Sequence, residues 1–106
     1  MQLDRNATRR PVELAARYRT RRLVAPGQVA DLSEQGCRIR GFPPGGRIGD
    51  RIRICLESLE PLWGEVKWMR DGDAGVQFDR ALHPAVVQHL LETCRKGAGV
   101  GWTRAW

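Results

Sequence analysis

Long apolar runs are missing from this 106-residue chain. No stretch approaches the roughly 20 residues that a membrane-spanning helix needs, and the opening MQLDRNATRR is too polar for a secretory leader. The resulting expectation is a cytoplasmic protein with no membrane insertion. Cysteine is scarce. Cys37, Cys55 and Cys94 are odd in number and show no CxxC spacing, which argues against a disulfide framework or a zinc site and for buried thiols. Histidine is limited to His83 and His89, and neither Ser33 nor Ser58 has a partner histidine at a recognisable spacing. No GxxxxGKS/T or GxGxxG phosphate loop occurs. The carboxylates are scattered, mostly beside arginines. With no nucleophile, base or metal constellation, the chain reads as a binding protein without a catalytic site, a metal or a cofactor.

Lysine is nearly absent too, at two residues against sixteen arginines. Arginine carries a planar fork that pairs bidentately with phosphate or with guanine, which lysine does not. The net charge is +6, and seven arginines (Arg5, Arg9, Arg10, Arg17, Arg19, Arg21, Arg22) against Asp4 and Glu13 put +5 of it in the first 22 residues. GC-rich coding accounts for a preference for arginine but not for its clustering. An excess gathered at one end reads as a local anion site.

What is present is mostly strand. Residues 1–10 lack hydrophobic periodicity and read as a flexible arm. From Val12 the pattern alternates, with Val12, Leu14, Ala16 and Tyr18 on one face and Glu13, Ala15, Arg17 and Arg19 on the other. Pro26-Gly27 reads as a turn that returns the chain through Val29 and Ala30. Cys37-Arg38-Ile39-Arg40 alternates again and stops at the GFPPGG loop. Ile52, Ile54 and Leu56 alternate with charged neighbours. Leu62, Gly64, Val66 and Trp68 oppose Trp63, Glu65, Lys67 and Met69, and Asp71-Gly72 closes a hairpin onto Gly75-Val76-Gln77-Phe78. Six short strands at this spacing indicate an all-β antiparallel barrel or sandwich. The period then becomes helical: after His83-Pro84, Val86, Val87, Leu90, Leu91 and Cys94 form one stripe, predicting a C-terminal helix over about 84–96 that covers a barrel mouth or face. One domain over 11–97 is expected, followed by a mobile glycine-rich tail, 98–106. Its Trp102 and Trp106 either pack back or meet a partner.

Two short elements remain. Arg5-Asn-Ala-Thr-Arg9 leads through Arg10 into the first strand, and Asp31-Leu-Ser33-Glu-Gln-Gly36 joins the second strand to the third. RxxxR before a strand, followed by D/N-x-S-x-x-G, resembles the PilZ domain, a bacterial receptor for cyclic di-GMP. Gly49-Asp50-Arg51-Ile52-Arg53-Ile54, Gly64-Glu65-Val66-Lys67-Trp68 and Gly75-Val76-Gln77-Phe78 are similar to further family motifs, in order, across roughly residues 5–80. The resemblance implies a six-stranded antiparallel split β-barrel with a C-terminal α-helix. It also implies a ligand-binding set of Arg5, Arg9, Asp31, Ser33 and Gly36, with Arg10 and Trp68 as accessories. The chemistry is consistent: guanine offers N7 and O6 to an arginine fork and N–H donors to a carboxylate such as Asp31. Ser33 would supply a small hydroxyl, and Gly36 a close approach without a Cβ. In the family, an extra arginine just before RxxxR goes with a stacked nucleotide pair; here that position is Asp4, implying one nucleotide per chain.

Simpler readings stand beside these. Asp31 and Ser33 alone would make an Asx or Ser turn with Gly36 at positive φ. Trp68, in phase with Leu62 and Val66, fits core packing as well as ligand contact. Arg17 and Arg19, like Arg51 and Arg53, would solvate their strand faces. The expected function is a stand-alone cyclic di-GMP receptor whose arm orders over the nucleotide and presents a changed surface to a downstream protein. The alternatives are a PilZ-like adaptor that binds only proteins, and a small basic barrel that stacks RNA or single-stranded DNA on Trp63 and Met69. Nucleic acid is the weaker of the two.

Overall fold

Six strands and a helix make up the computed structural model, which describes residues 10–56 and 59–95. Arg5, Arg9 and the Trp102 and Trp106 tail lie outside the described residues. The strands are β1 (Arg10–Arg19), β2 (Val24–Leu32), β3 (Gly36–Arg40), β4 (Arg51–Cys55), β5 (Leu62–Arg70) and β6 (Asp73–Phe78), followed by α1 (Pro84–Arg95). They close into a barrel in the order β1-β2-β3-β6-β5-β4, every pairing antiparallel. Alternation dictates this: Val12, Leu14, Ala16 and Tyr18 of β1 are buried and meet Val29, Leu32, Ile39, Ile52, Ile54, Val66 and Val76 in one core. No helix among the described residues is long and apolar enough to cross a membrane.

The turn expected at Pro26-Gly27 lies elsewhere. Thr20 N–H donates to Leu23 O across the β1–β2 connection, while Pro26 and Gly27 sit inside β2 opposite Arg17 and Ala16. Pro26 is tolerated because β3 pairs with β2 only from Gln28 onward, so β2 is an edge where the proline lacks its N–H. Gly27 makes room for an aromatic ring: a Cβ there would stand 2.6 Å from Tyr18 Cε2. Tyr18 stacks on Phe42 of the β3–β4 loop, ring centroids 5.1 Å apart, closing that end of the core. The hairpin at Asp71-Gly72 stands as expected, with φ of 54° and 83°, the two positive values that a tight two-residue turn requires.

Two bulges move side chains between faces. In β5 the register shifts between Val66 and Trp68, so Met69, opposite Ala74, packs against the core and Trp68 moves to the outer face. The alternation read from the sequence had these two reversed. In β1 the shift between Pro11 and Leu14 leaves the Glu13 backbone without a ladder partner, and α1 supplies one. Cys94 Sγ accepts from Glu13 N–H at 3.2 Å and lies 3.6 Å from Glu13 O. Val87, Leu90 and Leu91 carry the helix onto the core. Pro84 occupies its first turn, and His83 Nδ1 accepts the Ala85 N–H at 3.0 Å. Of the three unpaired cysteines only Cys37 is fully buried; Cys55 and Cys94 are half-buried.

Candidate functional site

Register places the site. The turn at 33–36 sets Leu32 opposite Cys37 and Asp31 opposite Arg38; Arg38 then faces Gly75 on β6, and Gly75 faces Trp68 on β5. Asp31, Arg38, Gly75 and Trp68 therefore form one row across the outer surface of four neighbouring strands, with Pro11 of β1 at its end. Arg38 ties the row together. Its Nε donates to Asp31 Oδ2 and its Nη1 to Asp73 Oδ2, both at 2.6 Å. Hydrogen bonding to Asp31 first, and then to Asp73, raises the Arg38 pKa above the usual guanidinium value, against the opposing effect of burial. Among the described residues Asp31 Oδ1 accepts no hydrogen bond.

Trp68 lies flat across this row because Gly75 has no side chain. A Cβ at Gly75 would come within 3.0 Å of the indole Nε1, Cε2 and Cδ1. The Arg70 guanidinium stands over the same ring, 5.4 Å from its centroid.

The turn itself is tightly self-bonded. Ser33 is 3% exposed, and its hydroxyl accepts from Gln35 N–H at 3.2 Å and Gly36 N–H at 3.3 Å, with Gly36 O 3.4 Å away. Phe78 N–H donates to Gln35 O and Leu82 N–H to Glu34 O, each at 2.8 Å, so the turn is pinned to the segment entering α1. Gly36 is not in the left-handed region; among the described residues the positive-φ glycines are Gly41, Gly49 and Gly72. What requires glycine at 36 is β6: a Cβ would overlap Val76 O and lie 3.2 Å from Val76 C and 3.3 Å from Gln77 Cα. The hydroxyl of Ser33 and the missing Cβ of Gly36 are thus both used by the barrel.

Of the residues singled out by sequence, Asp31 and Trp68 share the outer row, and Ser33 and Gly36 form the adjoining turn. Arg10 is the first residue of β1 and registers with buried Leu32 rather than with Asp31. It lines a cavity of about 170 Å³ with Glu34, Val87 and Leu91, on the α1 side of the turn. Arg5 and Arg9 lie outside the described residues. Arg38 and Asp73 were not foreseen. The first had a readable signal, since a hairpin centred on 33–36 must set position 31 opposite 38; the second depends on pairing across 35 positions. A cleft of about 310 Å³ between Trp63 and His83 contains no residue of either motif.

The electrostatics separate two kinds of contact. Arg38 and Arg70 offset Asp31 and Asp73, so the described row carries no net charge. Such a surface accepts N–H donors and does not by itself attract phosphate.

Comparison with known proteins adds the family. The PilZ domain model matches residues 3–96. The crystal structure of the PilZ domain of CeSA from a cellulose-synthesizing bacterium superposes with a TM-score of 0.59 at 14% identity, covering 86% of this chain and 97% of that one. Bacillus subtilis inhibitor of motility (MotI/DgrA) gives 0.53 at 12% identity, over 88% of this chain and 50% of the other. At these identities the likeness is one of fold. No curated protein sequence matches the chain.

Proposed function

The chain belongs to the PilZ domain family, and from that premise we propose that it is a cyclic di-GMP receptor in which base and phosphate recognition are divided between the barrel and its arginine arm. The observation that carries this reading is the half-buried outer row of Asp31, Arg38 and Trp68 beside the point where the chain enters β1. Asp31 Oδ1 is placed to accept the N–H donors of a guanine edge, with Arg38 holding the carboxylate through Oδ2. The phosphates, which a row without net positive charge does not attract, fall to Arg5 and Arg9. Arg9 is one peptide unit from Arg10, and Arg5 is five residues from it, a reach of at most about 18 Å. Trp68 offers an apolar ring beside the bound base. Ser33 and Gly36 act indirectly, by fixing the bend that presents Asp31. Closure of the arm would change the charge and shape of this face, and a downstream protein would read the difference. The role is that of a binding domain and not an enzyme.

A second reading is favoured by one observation. Ser33 and Gly36 are fully accounted for by the turn and the β3–β6 contact, so a domain that has kept the motif for its fold alone would bind proteins without nucleotide. Titration of isotope-labelled protein with cyclic di-GMP distinguishes the two. Receptor function predicts amide shifts at Asp31, Arg38 and Gly75 and a shift of the Trp68 indole N–H, with a linear diguanylate much weaker. A spectrum unmoved by saturating cyclic dinucleotide would leave the adaptor.

A further inference from the structure

A second outer row lies where the barrel closes. β1 and β4 pair through Arg17 with Cys55, Tyr18 with Ile54 and Arg19 with Arg53. On its other side Arg19 faces Val24 of β2, and Arg53 faces Trp63 of β5. Val24, Arg19, Arg53 and Trp63 thus run in line across four strands, two cations between two apolar residues. Along β1 this row stands eight residues from Pro11, roughly 25 Å from the Asp31 row.

Three features set the row apart. Two like charges sit directly opposite each other, an arrangement that disfavours the sheet. Among the described residues neither arginine has a carboxylate partner, and Arg53 Nε is buried without a hydrogen-bond acceptor. Arg38 and Arg51, by contrast, each lie against carboxylates. The flanking side chains are also exposed, Val24 by 54% and Trp63 by 49%. The Arg53 guanidinium stands 5.9 Å from the Trp63 ring centroid, a stacking that holds it in place while leaving in-plane N–H groups for a ligand. A cavity of about 240 Å³ opens among Arg19, Val24, Arg53 and Cys55.

We propose that this face docks an acidic segment of a partner protein, in which carboxylates flanked by apolar side chains meet Arg19 and Arg53 while the apolar groups cover Val24 and Trp63. Charge complementarity selects an anionic occupant, and the apolar shoulders select a protein segment over a bare phosphate. Nucleic acid fits less well: the Trp63 ring already stacks on Arg53, and Met69, the other stacking candidate, packs on the core. The nearby stretch of β2 without a β3 partner contains Pro26, which has no N–H to donate, so recognition runs through side chains. The site is separate from the proposed nucleotide row and does not depend on it.

The test uses the full chain, isotope-labelled, in physiological salt. Three probes are titrated: a short peptide alternating glutamate and leucine, the same peptide with glutamine for glutamate, and an oligothymidylate. The expected result is saturable shifts at Arg19, Val24, Arg53 and the Trp63 indole with the glutamate peptide, and no shift at Asp31 or Arg38. Arg19→Gln and Arg53→Gln should each weaken it about tenfold or more. Both should melt no lower than the parent protein, because opposed arginines do not hold the sheet together. The proposal is overturned by an unmoved spectrum, by equal binding of the glutamine peptide, or by tighter binding of the oligothymidylate. Affinity unchanged in both variants, or a clear drop in their melting temperature, would overturn it as well.

Discussion

Gly36→Ala separates a glycine kept for the ligand from a glycine kept for the fold. The backbone at 36 is not left-handed, so the substitution carries no conformational strain of its own, and its cost lies in the space the methyl needs. That space is occupied by the β6 backbone: Val76 O within 3.0 Å, then Val76 C at 3.2 Å and Gln77 Cα at 3.3 Å. An ordinary contact begins at 3.4 Å, so β3 and β6 must part at the end where Gly36 pairs with Gln77 and Cys37 with Val76. Overpacking costs about 1–3 kcal/mol, and each ladder bond lost adds about 1 kcal/mol. The expected loss is therefore about 2–4 kcal/mol, or roughly 10–25 °C in melting temperature for a domain of this size. Gly45→Ala is the control. Its nearest neighbour is the flexible Leu23 Cδ2 at 3.5 Å, and it should melt within a few degrees of the parent. Thermal denaturation followed by circular dichroism reads both. A Gly36→Ala protein that melts with the parent but no longer binds cyclic di-GMP would refute the packing argument and return the glycine to the ligand.

Other outcomes follow from single groups. Tyr18 is buried and its hydroxyl has no partner among the described residues, so Tyr18→Phe should leave stability unchanged or raise it by about 1 kcal/mol; a loss of that size in a denaturant melt would mean the hydroxyl is satisfied. Burial pushes the Cys37 thiol up from 9.0 to about 12. Below pH 9 the folded and unfolded chains both keep that proton, but between pH 9 and 12 only the unfolded chain releases it. Stability should then fall with rising pH in that window, and less so in Cys37→Ala; a flat alkaline profile would contradict this. At neutral pH a thiol reagent should modify Cys55 and Cys94 well before Cys37. Asp79, bonded to Arg51 through both guanidinium ends, is held below its ordinary 3.8 by that hydrogen bonding. The pair's contribution is present above pH 3.8 and is lost as pH falls through the lower folded value. A carboxyl titration of Asp79 by NMR should return toward 3.8 in Arg51→Gln.

Much of the barrel was readable because alternation and burial are the same signal. Val12 through Tyr18, Cys37 with Ile39, and Ile52 with Ile54 each declare an inner face, and Asp71-Gly72 declares its hairpin. The readings that failed share a cause. Trp68 and Met69 exchange faces because one extra residue in β5 shifts the phase, and a bulge leaves no mark that distinguishes it from steady alternation. Pro26-Gly27 carries the composition of a turn, yet whether β2 has a neighbour at that point is a property of β3's length. In the candidate site Asp31 was legible as a motif residue. The partner that positions it, Arg38, required the hairpin register, and Asp73 required the whole strand order. Ser33 and Gly36 show the opposite case: residues that read as ligand contacts are occupied with the geometry of their own bend.

Calorimetric titration with cyclic di-GMP tests the division of labour most directly, using the intact chain, Arg9→Ala and Asp31→Ala. One nucleotide should bind per chain, and each variant should lose about 1.5–3 kcal/mol, the worth of a charged hydrogen bond, or roughly ten- to a hundredfold in affinity, while keeping its fold; only Asp31→Ala, which gives up the Arg38 ion pair, should melt lower. Full affinity in both variants, or no heat from the folded parent protein, would contradict that division.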